Sequence, residues 1–390
     1  MGPLAGLKVI EMAGMGPGPF AAMLLADLGA EVVRVDRWSA AGDLPETETR
    51  VRSTSPRSYV LHRGRRSVGV DLKTEAGKQV VLRLCAQADA LIEGFRPGVM
   101  ERLGLGPAAC RELNPRLVYG RMTGWGQDGP LAQRAGHDIN YIAMSGLLNS
   151  CKRVGERPLP PVNFVGDFGG GGLMLALGVV SACWEAARSG QGQVVDAAIV
   201  DGSAVLTSML YGLMAQGRWV DEPGTNFVDT GSPYYEVYET SDGRFLSVGA
   251  IEPRFYRELL LGLGLDQDPI MQNQDDRAAW PAMKRRVAEV VATRTRDEWE
   301  RVFEGTDACV APVLSITEAA MHPANIAREV FFEADGIVQP SPAPRFSRST
   351  ASSERLPPEP GEHSAQVLRD WGVTEEEIDG WLKAAAVGPA

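Results

Sequence analysis

Short apolar runs that alternate with helical segments are the feature that most constrains the fold of this chain. Runs typical of buried strands occupy 7–12, 30–36, 90–95 and 117–122, and helical apolar spacing occupies 20–28 and 75–87. Strands joined through helices pair in parallel, because the crossover returns the chain to the same end of the sheet. Helices then cover both faces of that sheet. The sequence therefore predicts an α/β fold for the N-terminal part.

The pattern changes near residue 225. Two β-rich runs, 234–238 and 245–250, flank the turn Ser241-Asp242-Gly243 and predict a hairpin, and helical spacing follows at 254–263 and 280–293. Before this change we expect a helix over 172–188, a strand over 194–199 and a helix ending near 214. A Pro/Ser-rich stretch at 339–360 precedes a helical segment at 364–383. We predict a large domain at 1–224, a smaller α+β domain at 225–330, and a linker with a returning C-terminal segment at 331–390.

Charge argues against nucleic acid as the main partner. The net charge is -11, whereas phosphate binding needs a broad basic face. Six arginines and no acid lie between Arg50 and Arg66, so a local basic patch is present. The polar, Pro/Ser/Arg-rich composition of 37–66 predicts a long surface loop, and its role is left open.

Cysteine usage indicates a reducing compartment. The five cysteines are scattered and form no C-x-x-C pair, so neither a zinc or redox pair nor a disulfide framework is indicated. The N-terminus lacks the pattern of a signal peptide, and the most apolar stretch, 171–184, is too short and glycine-rich to span a bilayer. We expect a cytoplasmic protein without membrane insertion.

The loop Gly14–Pro19 follows the first predicted strand and is rich in glycine. The third glycine of the dinucleotide pattern G-x-G-x-x-G would fall on Pro19, so the match fails in detail. Asp36 lies about where a ribose-binding acid belongs, but one acid at one spacing is a weak signal. We therefore favour a tight turn with proline at the helix start over a nicotinamide site.

Three residues are candidates for chemistry, and each also has a structural interpretation. His137 enters a predicted helix, where a backbone N–H could face an anion, although lone histidines are more often structural. Asp167 precedes a long apolar helix and equally fits an N-cap. Glu252 lies between a strand and a helix and equally fits a capping acid. None of the three is decisive on its local pattern.

Seven segments spread along the chain resemble one known family. They are Gly-Pro-Leu-Ala-Gly-Leu-Lys-Val-Ile-Glu at 2–11, Gly-Phe-Arg-Pro-Gly-Val at 94–99, Ala-Gly-His-Asp-Ile-Asn-Tyr at 135–141, Gly-Asp-Phe-Gly-Gly-Gly at 166–171, Asp-Ala-Ala-Ile-Val-Asp-Gly at 196–202, Gly-Ala-Ile-Glu-Pro at 249–253 and Ala-Pro-Arg-Phe-Ser at 343–347. In these segments the chain resembles the α-methylacyl-CoA racemases, within the broader CoA-transferase family III, and most closely bacterial members of actinomycete type. The arginine-rich loop at 48–60 is longer than the family pattern.

The resemblance implies a Rossmann-like large domain, a small domain and two interlocked chains, with the active site between domains and between chains. It assigns the catalytic histidine, aspartate and glutamate to His137, Asp167 and Glu252, and to Asp138 the backbone N–H that helps hold the thioester oxygen. CoA contacts carry over to Arg37, Val70, Asp71, Leu72, Lys73, Arg96 and Arg102. Acyl-CoA and a second copy of the chain are the implied partners.

The chemistry of racemisation agrees with these residue types. A proton beside a thioester carbonyl must leave from one face and return to the other, which needs a base and an acid on opposite sides. Glu252 would orient the imidazole, and arginine or lysine would hold the phosphates of CoA. We expect no cofactor and no metal, because CoA is part of the substrate. Met209 and Met214 fit either an adaptable surface for the acyl chain or a plain core helix.

The main rival is a CoA-transferase of the same fold. There the carboxylate at Asp167 would act as a nucleophile and form a mixed anhydride. The resemblance implies that the transferase branch carries a glycine-rich loop near the position of Ile251-Glu252-Pro253. It also implies that transferases of this branch do not need a His–Glu pair. We favour the racemase. A non-catalytic acyl-CoA-binding protein would keep the arginines but would not need the three catalytic candidates together.

Overall fold

The chain forms two compact units, each with its own hydrophobic core. The computed structural model describes residues 1–39, 56–353 and 355–388. The first unit comprises 1–145, 162–206 and 326–390, and the second comprises 146–161 and 207–325. The domain limits predicted from the sequence, 1–224, 225–330 and 331–390, concern independent folding and stay a prediction.

A six-stranded parallel sheet forms the centre of the first unit and confirms the predicted α/β fold class. Its strands are β1 (Lys8–Met12), β2 (Glu31–Arg37), β3 (Arg65–Val70), β4 (Ala90–Glu93), β5 (Val118–Thr123) and β6 (Val194–Ala198). They lie in the order β3-β2-β1-β4-β5-β6, and every neighbouring pair is parallel. This is the Rossmann order, in which the direction of winding reverses between β1 and β4.

Helices cover both faces of this sheet. Consecutive strand residues face opposite sides, so Val9 belongs to one core cluster and its neighbour Ile10 to the other. The C-terminal helices pack on the Ile10 side, where Trp371 is 1% exposed. The helices of this unit are Pro17–Asp27, Glu75–Cys85, Val99–Arg102, Pro107–Leu113, Asp138–Met144, Met174–Ser189, Ile199–Leu206, Ser364–Asp370 and Glu375–Lys383.

The second unit is α+β, as its composition predicts. Strands β7 (Tyr235–Glu239) and β8 (Phe245–Gly249) form the predicted antiparallel hairpin, and β9 (Val310–Pro312) pairs with β8. Trp280 and Trp299 are buried in its core. Its helices are Leu147–Ser150, Ser208–Ala215, Pro253–Leu263, Trp280–Val291, Arg296–Phe303 and Ile316–Met321; Pro323–Ala327 lies at the limit between the units. Strands β10 (Phe331–Ala334) and β11 (Ile337–Pro340) form a separate hairpin in the first unit.

The prediction of a surface loop through Arg66 is wrong for its last part. Arg63, Arg65 and Arg66 are all buried, and the last two belong to β3. Arg63 pairs with Asp27 at 2.6 Å, and Arg65 pairs with Glu11 at 2.8 Å. A charged side chain can be buried when a carboxylate compensates it. The compensating acids lie far away along the chain, so the local pattern could not reveal them. Residues 40–55, with Arg50 and Arg52, lie outside the described residues.

The apolar helix before β6 is longer than the sequence predicts. Phe164–Leu173 forms a π-helix that continues into Met174–Ser189. The combined helix has 26 residues and contains an 18-residue stretch with a mean hydropathy of 1.5, so it is long and apolar enough to cross a bilayer by length and composition alone. Leu175 and Val179 of this helix are buried against the sheet, so core packing accounts for part of its apolar character.

Candidate active site

A cavity of about 410 Å³ opens in the first unit at the carboxyl edge of the sheet. Met12 of β1, Glu93 of β4 and Thr123 of β5 are the last residues of their strands, and all three line it. In open α/β sheets, ligands bind at this edge beside the point where the strand order reverses. The cavity therefore lies where the topology alone predicts a site, and both His137 and Asp167 lie in its wall.

His137 precedes the helix Asp138–Met144 as its N-cap residue, as the sequence predicts. Its backbone N–H donates to Asn140 Oδ1 at 3.0 Å. The hydroxyl of Tyr141 donates to the carbonyl of Gly136, and its ring stacks edge-on against Trp125 at 4.7 Å. These contacts fix the backbone on both sides of His137, so the imidazole enters the cavity from a rigid turn.

Asp167 lies in the first turn of the π-helix. The four glycines that follow it allow this helix to pack closely against its neighbours. A Cβ at Gly170 would meet Ser203 at 2.7 Å, and one at Gly172 would meet the carbonyl of Pro17 at 2.6 Å. Phe168 stacks on Phe20 at 4.6 Å and adds to this packing. The sequence predicts a helix only from residue 172, whereas the glycine run belongs to the π-helix and makes a close contact that brings Asp167 to the cavity.

The environment of the Asp167 carboxyl raises its pKa above the usual aspartate value. Burial is the largest cause, and the negative charge of Asp138 adds to it. A hydrogen bond from Asn163 Nδ2 to Asp167 Oδ2 at 3.3 Å acts in the opposite direction, as does the charge of His137. The result is a carboxyl group that keeps its proton to higher pH than an exposed aspartate. Such a group can serve as an acid as well as a base.

The loop Gly14–Pro19 also lines the cavity. Gly16 has a φ of 69°, and a Cβ there would lie 3.4 Å from Asp167 Oδ2, so the glycine leaves room for this carboxylate. The helix begins at Pro17, which agrees with the preferred turn interpretation. Asp36 is buried and paired with Arg34 at 2.6 Å, so it does not present a free carboxylate to a ribose. The sequence identified this loop as a turn and missed its place in the site.

The buried side chain of Arg65 stabilises the loop Gly14–Pro19. Arg65 donates to Glu11, which itself lines the cavity, and to the carbonyl of Pro19 at the start of the helix. It also donates to the carbonyls of Leu61 and Arg63. One guanidinium therefore joins β1, the cavity loop and the segment before β3. No sequence signal singled out Arg65, because Glu11 and Pro19 lie far from it along the chain.

The residues assigned to CoA follow the carboxyl ends of β2, β3 and β4. Arg37, Lys73, Arg96 and Arg102 are exposed. Val70 is the last residue of β3, its side chain is buried in the core, and its carbonyl accepts the N–H of Trp38 at 3.1 Å. Arg37 ends β2; Asp71, Leu72 and Lys73 follow β3; Arg96 follows β4; and Arg102 ends the helix Val99–Arg102. Their roles in binding stay a prediction.

Glu252 lies in the second unit, as the exposed N-cap residue of the helix Pro253–Leu263. Its assignment as the partner of His137 stays a prediction. Met209 and Met214, also in that unit, are 58% and 42% exposed. The interpretation of their helix as a plain core helix is therefore wrong for these two side chains.

Known proteins share this architecture and match the sequence over nearly its full length. A model of CoA-transferase family III matches residues 4–364. The α-methylacyl-CoA racemase of Mus musculus is 47% identical over 377 residues, covering 96% of this chain and 95% of that protein. The succinate–glutarate CoA-transferase of Agrobacterium fabrum is 34% identical over 393 residues, covering 96% of each. A CaiB/BaiF family structure from Brucella suis matches with a TM-score of 0.79 at 27% identity, covering 95% of this chain and 99% of that one.

Proposed function

The chain belongs to the CoA-transferase family III, and we propose that within this family it interconverts (2R)- and (2S)-2-methylacyl-CoA by proton transfer through an enolate. The observation that carries the proposal is the presence of His137 and Asp167 in the wall of one cavity at the carboxyl edge of the sheet. The higher identity to a racemase, 47%, than to a transferase, 34%, supports the same function.

Racemisation requires two side chains that take up and release a proton, and a hydrogen-bond donor for the enolate oxygen. The Asp167 carboxylate takes the α-proton of the 2R thioester, and the imidazolium of His137 returns a proton to the opposite face. In the reverse direction the imidazole takes the 2S proton and the Asp167 carboxyl group donates. The raised pKa of Asp167 favours this exchange of roles, because both the ionised and the protonated carboxyl group must be populated. We assign the backbone N–H of Asp138 to the thioester oxygen, where negative charge develops.

The thioester is already activated by its own CoA group, so we propose no further cofactor and no metal. The exposed cations Arg37, Lys73, Arg96 and Arg102 form a basic edge that suits the phosphates of CoA on an otherwise acidic protein. In this arrangement the CoA lies along the carboxyl ends of β2 to β4, and the acyl end enters the cavity.

Three further parts of the account are proposals. Glu252 orients the imidazole of His137 and favours its cationic form, as the family resemblance implies. Two copies of the chain form an interlocked homodimer that completes each site. The enzyme works in the cytoplasm, which suits its five free cysteines. We propose no nucleic-acid partner and no membrane association.

The rival function is CoA transfer, in which Asp167 Oδ attacks the thioester carbonyl and the CoA thiolate leaves. A carboxylate lining a cavity fits this role too, and the 34% identical transferase keeps the rival open. The two reactions differ in their products. A transferase needs an acceptor acid and leaves the α-carbon untouched.

The experiment that tests the proposal incubates (2R)-2-methylacyl-CoA with the protein in D₂O and no acceptor acid. We expect deuterium at the α-carbon and conversion of the 2R thioester to a near-equal mixture of the 2R and 2S epimers. An inert substrate contradicts the racemase. Recovery of a peptide containing hydroxylamine-modified Asp167 from enzyme treated with substrate would support the transferase instead.

A further inference from the structure

The side chain of Asp138 joins the two turns that carry the catalytic residues. It follows His137 directly, and its Oδ1 accepts the backbone N–H of Asp167 at 2.6 Å. We propose that the carboxylate of Asp138 is a positioning residue that holds the first turn of the π-helix and sets the proton affinity of Asp167. This role is separate from that of its backbone N–H, and it rests on the proposed racemase function.

The geometry of this contact is tight. The first N–H groups of a helix lack partners within the helix and need an acceptor from outside. Asp138 supplies one for Asp167. A Cβ at Gly166 would lie 2.1 Å from Asp138 Oδ1 and 2.8 Å from Ile142, so only glycine admits the carboxylate here. A charge-assisted bond of this kind fixes the turn that carries Asp167 relative to the turn that carries His137.

The charge of Asp138 is only partly compensated. Asp138 is 8% exposed, and its second oxygen, Oδ2, is buried with no hydrogen-bond partner among the described residues. No arginine or lysine pairs with it in the part of the chain that the structure describes. A buried, uncompensated negative charge disfavours a second one nearby.

Asp167 is the group on which this charge acts. The polar and charged groups that face it are Asn163 from the start of its own helix, His137 and Asp138 from the neighbouring turn, and Tyr141 from the helix after that turn. Of these, Asp138 is the one that adds negative charge. It therefore helps to raise the pKa of Asp167, after burial, and keeps the protonated form available for the return step.

The test removes the negative charge of Asp138 and keeps a hydrogen-bond acceptor at the same position. In Asp138→Asn the amide oxygen can still accept the N–H of Asp167, but the charge is lost. The measurement is the pH dependence of kcat/KM for α-proton loss from the 2R enantiomer, whose acid limb reports the ionisation of Asp167 in the free enzyme. We expect the acid limb about one pH unit lower than that of the parent, whatever the height of the plateau, since like charges shift pKa values by this order.

Two further variants separate the effect of the Asp138 charge from the effect of the position of its carboxylate. Asp128→Asn removes the same charge from an exposed residue of the loop after β5, and we expect its acid limb to stay at the parental pH. Gly166→Ala keeps the Asp138 charge but pushes the carboxylate away from the N–H of Asp167. We expect at least about a tenfold loss of 2R exchange, with 2S exchange much less affected, because the displaced turn carries Asp167.

The outcomes are distinct. If the parent enzyme exchanges the α-proton but Asp138→Asn keeps the parental acid limb, the electrostatic role is overturned. If Gly166→Ala leaves both exchange rates unchanged, the positioning role is overturned, even where Asp138→Asn fails to fold. A parent enzyme that exchanges neither enantiomer contradicts the proposed function rather than this inference.

Discussion

At the scale of single residues, the surroundings of Asp167 decide what its carboxyl group can do. Its residue type and local pattern are equally consistent with a simple helix cap. Only the resemblance to a family selected it, together with His137, from the sequence. The contact between Asp138 and Asp167 joins residues 29 positions apart, and no local pattern reveals such a contact. The resemblance in sequence therefore identified the catalytic candidates, whereas the contacts that change the pKa of Asp167 are visible only in the fold.

The hydrogen bond from Asn163 gives a prediction for pH dependence. This bond stabilises the charged form of Asp167, so Asn163→Ala should raise the pKa of Asp167 further. The 2R half-reaction needs the carboxylate, so its acid limb should move to higher pH, opposite to the shift expected for Asp138→Asn. The measurement is kcat/KM for 2R exchange against pH. An acid limb that moves to lower pH in Asn163→Ala contradicts the assignment of Asp167 as the 2R base.

At the scale of elements, the strands were predictable and their interactions were not. The apolar runs predicted β1, β2, β4, β5 and β6 because the strands of a parallel sheet covered on both faces are rich in apolar residues. Strand β3 was missed because it begins with two arginines that are neutralised by distant acids. The π-helix was not predicted because four consecutive glycines are typical of a loop. The packing against neighbouring helices shows that these glycines allow a close contact between helices.

The buried ion pair under the cavity loop gives a prediction for stability. Arg65→Met leaves Glu11 as a buried, unpaired charge and removes the hydrogen bond that the guanidinium donates to the carbonyl of Pro19. We expect a loss of about 3–5 kcal/mol in the free energy of unfolding, measured by urea denaturation. Arg66→Met is the matched control, because its partners Glu31 and Asp370 are 34% and 49% exposed and can be solvated by water. A loss for Arg65→Met no larger than that of the control would contradict the supporting role of this arginine.

At the scale of the whole molecule, the basic edge of the sheet predicts how CoA binds. Lys73→Ala and Arg96→Ala should each raise KM about tenfold and change kcat little, because phosphate contacts are the same in the substrate and the transition state. Arg116→Ala is the matched control, an exposed arginine just before β5 and therefore at the opposite edge of the sheet. Steady-state kinetics measures all three. A collapse of kcat with unchanged KM in Lys73→Ala or Arg96→Ala would contradict the assignment to CoA.

One apolar helix face predicts self-association. Leu173, Leu177 and Trp184 lie on one side of the long helix and are 52%, 61% and 69% exposed. Because such a stripe is costly in water, we expect it to be covered in the proposed homodimer. Sedimentation equilibrium should give twice 42.0 kDa for the parent. The double variant Leu177→Glu/Trp184→Glu should sediment as a monomer, whereas Leu113→Glu, at another exposed leucine, should not. An active monomeric parent would contradict the dimer.

The central claim is that His137 and Asp167 act on opposite faces of one α-carbon. Single variants separate the two roles because each base removes the proton of one enantiomer. His137→Ala and Asp167→Ala should each lose racemisation in both directions by about 10²–10⁴-fold, the usual contribution of a positioned acid or base. Glu252→Gln should weaken the His137 half-reaction far more than the other, since it acts through the imidazole.

The most direct measurement is α-deuterium incorporation by NMR, for each enantiomer with each variant, in D₂O. The account predicts that His137→Ala still exchanges the 2R proton, because Asp167 can form the enolate and reprotonate the same face. Asp167→Ala should exchange only the 2S substrate. Equal loss of exchange for both enantiomers in both single variants, with the circular dichroism of the parent retained, would contradict two independent bases on opposite faces.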